Sequence, residues 1–155
     1  MTPAVETLNR FKISHTLHEY QHNPSADSYG LEAAEKLKLD PQTVYKTLVC
    51  QLNTQELVVA VIPVTEQLNL KLLAKAANSK KAVMANPMDV ERTTGYVLGG
   101  VSPLGQKKPL KTYIHKRAVE HKIIYVSAGK RGLEIGLSPN DLLNLTKGQL
   151  AVLCN

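Results

Sequence analysis

Lys46 stands in an otherwise apolar stretch, Val44-Tyr45-Lys46-Thr47-Leu48-Val49-Cys50, whose alternation puts it on the same face as Leu48 and Cys50. A half-buried lysine costs stability unless an anion faces it, so it either binds or stabilises negative charge or snorkels to water from a strand end. Gly99-Gly100 and Gly129 to Gly132 form two glycine-containing turns at strand ends. There glycine lets backbone N–H groups approach a carbonyl or phosphate oxygen closely, although the same residues also serve as plain tight turns. His15, His18 and His22 have the spacing of ligands on one helical face. Their segment alternates as a strand instead, which turns His15 away from the other two, and no carboxylate or cysteine completes a set, so no metal is expected. Gly129-Lys130 lacks the rest of a phosphate loop, and Ser102 and Ser127 lack the G-x-S-x-G elbow of a serine hydrolase.

Elements must bring these groups together, and the composition bounds what they are. The 155 residues are 43% hydrophobic and 21% charged, which is the balance of a globular chain of one-domain length. With one Phe, six Tyr and no Trp, the core must be aliphatic. The longest strongly apolar run, residues 57–64, contains Pro63 and is far short of the ~20 residues of a membrane span. The start Met1-Thr2-Pro3-Ala4-Val5-Glu6 has no signal-peptide character, so a cytoplasmic address is expected. Cys50 and Cys154 are read as reduced thiols. Of the net charge of +6, residues 107–131 carry eight bases against Glu120 alone, whereas residues 1–106 balance at ten bases and ten acids. A basic zone so confined favours a polyanionic partner, with a solvated face as the alternative.

The chain reads as one continuous α/β pattern. Thr2-Pro3 opens a helix ending near Phe11; residues 13–20 form a strand with Ile13, His15 and Leu17 on one face; residues 21–30 form a polar loop; residues 31–37 form a helix. Residues 44–52 and 56–64 flank Asn53-Thr54-Gln55 as a hairpin at the centre of the sheet. Asn69 and Asn86-Pro87 each open a helix, the second closing before Gly95. Strands are expected over residues 112–115, 123–127, 133–137 and 149–153. A helix between the last two starts at Ser138-Pro139 and stops at Gly148.

Several segments resemble the YbaK/EbsC family end to end. They are Tyr45-Lys46-Thr47-Leu48, Thr94-Gly95-Tyr96, Gly99-Gly100-Val101-Ser102-Pro103-Leu104-Gly105-Gln106-Lys107-Lys108 and Tyr125-Val126-Ser127-Ala128-Gly129-Lys130-Arg131-Gly132, with His18-Glu19-Tyr20-Gln21-His22 as a His-x-Tyr-x-His motif. The resemblance implies a single compact α/β domain over residues 1–155, with a mixed, partly barrel-like sheet covered by helices. It implies deacylation of cysteine mischarged on tRNA(Pro), an error that arises because a synthetase pocket cannot exclude a near-isostere of proline by size. The implied partners are tRNA(Pro) and prolyl-tRNA synthetase, with no membrane and no cofactor.

By the same resemblance, Lys46 is the residue most closely tied to activity. Tyr20, Tyr29, Gly99, Gly100, Val101, Ser127, Gly129 and Glu134 bind the substrate, and the basic zone read from the charge distribution gains a purpose, contact with tRNA through Lys107, Lys108, Lys111, Lys130 and Arg131. The implied reaction is substrate-assisted: the cysteine thiol attacks its own ester carbonyl, so the protein needs no nucleophile. Backbone amides around Gly99 to Val101 could hold the carbonyl oxygen. The chain departs from the usual motifs at Ala128, where glycine is usual and whose Cβ disfavours positive φ, at Glu134, where aspartate is usual, and at Gly136, where many relatives have glutamate. These departures leave two other readings open: a non-catalytic tRNA- or synthetase-binding module, and a deacylase for another small amino acid.

Overall fold

A computed structural model describes residues 1–26 and 28–155. The helices are α1 (Pro3–Arg10), α2 (Tyr29–Lys36), α3 (Leu70–Ala76), α4 (Pro87–Thr94) and α5 (Pro139–Thr146). Each begins where a short polar side chain accepts a backbone N–H that has no partner within the helix: Thr2, Ser28, Asn69, Asn86 and Ser138. Proline at the first position of α1, α4 and α5 sacrifices only a donor that was already free.

The strands are β1 (Thr16–Glu19), β2 (Tyr45–Leu52), β3 (Leu57–Pro63), β4 (Ala82–Met84), β5 (Lys111–His115), β6 (Ile124–Ser127), β7 (Leu133–Leu137) and β8 (Gln149–Ala151). They form a three-stranded antiparallel sheet in the order β1-β7-β6 and a five-stranded mixed sheet in the order β4-β2-β3-β5-β8. Among the described residues the two are joined by a single bridge, Val44 to Tyr125. The mixed sheet is therefore only partly barrel-like, as expected, and does not close. The hairpin β2–β3 is central, and β3 is buried on both faces: Val59 and Val61 enter one core, Val58, Ala60 and Ile62 the other. The first core collects Leu8 of α1, Val90 of α4, Leu142 of α5 and the inner faces of β6 and β7. The second lies under α3 and the C-terminal Leu153 and Cys154.

Some expectations need correction. Helix α2 starts at Tyr29 rather than Leu31, because Ser28 caps it by accepting from Leu31 N at 3.3 Å, so Tyr29 and Gly30 leave the expected loop; of that loop, Asp27 lies outside the described residues. Strand β1 is shorter than expected, and within it Leu17 is 48% exposed. The half-buried residues of the segment are Ile13, His15, His18 and Tyr20, so neither alternating face is uniformly buried. Helix α5 is ended by Lys147 in the left-handed region (φ 53°), one residue before Gly148. The short strand β4 and a 3₁₀ turn at Lys116–Glu120 were not anticipated; both are too short for periodicity to show. No described helix is long and apolar enough to cross a membrane.

Candidate active site

Strand β2 is paired along one edge with β3 throughout, but its other edge is shared. Tyr125 takes it at Val44, and β4 takes it from Cys50 onward, with Ala85 N donating to Val49 O at 3.1 Å. Between these points the edge is open, and there a cavity of about 530 Å³ has formed, lined by the consecutive residues Tyr45 to Val49. Alternation of the antiparallel ladder gives the backbone groups of Lys46 and Leu48 to β3 and turns those of Thr47 outward to the open edge. Thr47 Oγ1 is buried without a partner among the described residues. The sequence reading missed Thr47, whose signal was its place beside Lys46 in a strand with one unpaired edge, which only topology reveals.

The other walls come from Tyr20 and the start of α2 (Ser28, Tyr29, Gly30); Leu98, Gly99 and Val101 from the loop after α4; Ser127, Lys130, Arg131 and Glu134 around the β6–β7 turn; and Met84, Ala85 and Val90 from the end of β4 and from α4. Of the residues expected to bind substrate, Gly100 and Gly129 do not line it. Gly100 packs against the Lys130 backbone and donates its N–H to Val97 O at 2.9 Å, which removes it from an oxyanion hole and leaves Gly99 and Val101 as the amides of that loop. Gly129, at φ 107°, lies where a Cβ would stand 2.5 Å from the Tyr96 ring. Its N–H donates to Ser127 Oγ at 3.1 Å, so the serine hydroxyl proton is free to face the cavity. Ala128 is fully buried without positive φ; Gly129 and Gly132 supply the left-handed turns, so the departure at 128 does not strain the loop. At Gly136 a Cβ would meet Thr16 Oγ1 at 2.6 Å and the Tyr125 ring at 2.8 Å, so its neighbours fill the space a side chain would need.

Burial tunes the ionisable groups. Lys46 is half-buried, and its ammonium is pushed below the ordinary lysine range by desolvation, an effect opposed by the Cys154 thiol. Glu134 is buried, and burial alone raises its carboxyl to about 8. Tyr20 is raised too, first by burial and then by Glu134, while its backbone bond at Gly132 opposes the shift. Behind Tyr29, Glu32 takes His22 Nδ1 at 2.8 Å, Asn23 N at 2.8 Å and Lys36 Nζ at 3.1 Å. Burial works against its charge, but these bonds outweigh it and hold the carboxyl at about 2. The histidines considered for a metal are thus dispersed: His15 Nδ1 lies on Ile13 O, His18 Nε2 on Thr16 Oγ1, and His22 on Glu32.

The basic zone is dispersed as well. Lys130 and Arg131 stand at the cavity, whereas Lys108 and Lys111 line a separate, polar cavity of about 560 Å³ with Glu56, Asp89 and Arg92. There Lys111 meets Glu56 at 3.8 Å and Arg92 pairs with Asp89. Lys107 lines neither.

Known proteins share both the sequence and this geometry. Residues 23–145 match the profile described as "Aminoacyl-tRNA editing domain". The chain is 43% identical over 151 residues to an Enterococcus faecalis protein named "Putative Cys-tRNA(Pro)/Cys-tRNA(Cys) deacylase EbsC", covering 97% of this chain and 91% of that one. Among solved structures it resembles "a putative trans-editing enzyme for prolyl tRNA synthetase" (TM-score 0.82, 23% identity, 98% of this chain and 92% of that one). It also resembles a hypothetical protein (TM-score 0.87, 22% identity, 99% of each chain). At those identities the two structures speak for the fold.

Proposed function

The chain belongs to the aminoacyl-tRNA editing domain family, and on that premise we propose that it is a free-standing deacylase that removes cysteine mischarged on tRNA(Pro). The observation that carries this reading is the pairing, in one cavity on an open strand edge, of a partly desolvated Lys46 with a buried Glu134 whose carboxyl no counter-charge among the described residues offsets. An aminoacyl ester supplies what each lacks. Its α-ammonium meets Glu134, and the phosphate or the developing charge at its ester meets Lys46. Thr47, with a free hydroxyl and outward backbone groups, and Ser127, with a free hydroxyl proton, orient the ester.

The reaction uses the substrate's own thiol. Sulfur bonds to the ester carbonyl carbon, the C–O bond to the terminal ribose breaks, and the thiol proton goes to the departing ribose oxygen; water later opens the thiolactone to cysteine. The gain is proximity, since the nucleophile is already tethered. Lys46 and the N–H groups of Gly99 and Val101 stabilise the oxyanion. Residues 1–155 act as one editing domain, because α1 enters the first core and Leu153 the second. The work belongs in the cytoplasm, with prolyl-tRNA synthetase supplying the mischarged tRNA, and Lys130 at the mouth contacts that tRNA.

Comparison of cysteinyl, seryl and alanyl esters of the same tRNA tests the thiol's part. Cysteine release is expected to exceed serine and alanine release by at least about 100-fold in kcat, roughly 2.7 kcal/mol of barrier. Equal rates for the three would mean that water, not the substrate, is the nucleophile.

A further inference from the structure

By sequence Arg131 is one more base of a polyanion-binding zone, yet its guanidinium is already engaged. Nη2 donates to Leu98 O at 3.0 Å, and the guanidinium carbon lies 3.9 Å from the centroid of the Tyr29 ring. Gly99 fits beneath the pair: a Cβ there would stand 2.7 Å from Arg131 Nη2 and 2.7 Å from the ring. One side chain therefore ties together the three segments that wall the cavity mouth. The Tyr29 ring is itself fixed, meeting His22 edge-on at 5.3 Å, and His22 is bound to Glu32 of α2.

We propose that Arg131 and Tyr29 form a clasp that sets the width of the cavity mouth and so decides which acyl groups enter, which makes Arg131 a positioning residue for specificity. This rests on the deacylase reading. A planar, forked guanidinium stacks on a ring and bonds a carbonyl at once, whereas an ammonium keeps the charge and loses that geometry. Arg131→Lys therefore separates the clasp from a simple phosphate contact.

The test compares the native protein, Arg131→Lys and Arg131→Ala on tRNA(Pro) carrying cysteine or penicillamine, which keeps the thiol and adds two methyl groups. Both variants should raise the penicillamine-to-cysteine ratio of kcat/KM by about tenfold or more, the range that small changes of pocket size command. Amide hydrogen exchange across residues 97–101 should quicken by about tenfold in both variants. An unchanged ratio overturns the clasp, the more so if Arg131→Ala raises KM for both esters alike and Arg131→Lys restores it, as a phosphate contact would. If the native protein releases neither acyl group, the deacylase reading falls; unchanged exchange at 97–101 would overturn the clasp as well, whereas quickened exchange would leave it standing as the closure of that mouth.

Discussion

A carboxyl pushed up to about 8 by burial is protonated in the free protein at neutral pH, so Glu134 must lose its proton when a substrate ammonium settles against it. Binding then releases a proton, and kcat/KM for cysteine release should climb as pH rises from about 6 towards 8. Glu134→Gln should flatten that limb and lower kcat/KM throughout, which a pH–rate profile reads directly. Folding stability responds to pH in the opposite sense. The folded pKa lies above the ordinary 4.5, so the stability this group contributes is fully present below about 4.5 and is lost as pH rises to about 8. Glu134→Gln should therefore be more resistant to urea than the native chain at pH 8.5, by up to a few kcal/mol, since each tenfold change in proton affinity is worth about 1.4 kcal/mol. A variant no more stable than native at that pH, with an unchanged pH profile, would contradict a buried neutral carboxyl. Sequence showed the residue but not this property, because desolvation depends on what covers a side chain.

At the level of elements, the caps and breaks were legible, since Thr2-Pro3, Asn69, Asn86-Pro87 and Ser138-Pro139 act through local chemistry. The hairpin β2–β3 was legible too, through its β-branched runs. What could not be read was the open edge of β2. It exists because β4, three residues long, stops at Met84 and β6 forms a bridge to this edge only at Val44, and neither fact leaves a periodic trace. The start of α2 was missed because Ser28 is only one of several polar residues in that stretch, and the missed turn carries Tyr29 into the cavity wall. Ser28→Ala should cost about 1 kcal/mol and loosen α2 first. Faster amide exchange across residues 31–34, with the β2–β3 amides unaffected, would show it; uniform change across both would mean that the cap has no local role.

For the whole molecule, the cavity is the rift left where two sheets meet at one bridge without closing into a barrel. Its walls are loops on a scaffold buried on both sides, an arrangement that holds a small ester rigidly while leaving the mouth to the tRNA. The charge run in residues 107–131 overstated a single basic face. Folding sends Lys108 and Lys111 to one cavity and Lys130 and Arg131 to another, because a run in sequence that crosses several elements does not stay together in space. The family motifs, in contrast, converge: Tyr45-Lys46-Thr47-Leu48, the Gly99 loop and the Ser127 turn all meet at the rift. The most direct measurement is release of labelled cysteine from saturating Cys-tRNA(Pro) by the native protein and by Lys46→Ala. Rapid release by the native protein and a loss of at least about 100-fold in kcat for the variant, folded as judged by its thermal transition, is the expected result. Full release by Lys46→Ala would contradict the account, because the cavity would then act without the one cation built into its open strand.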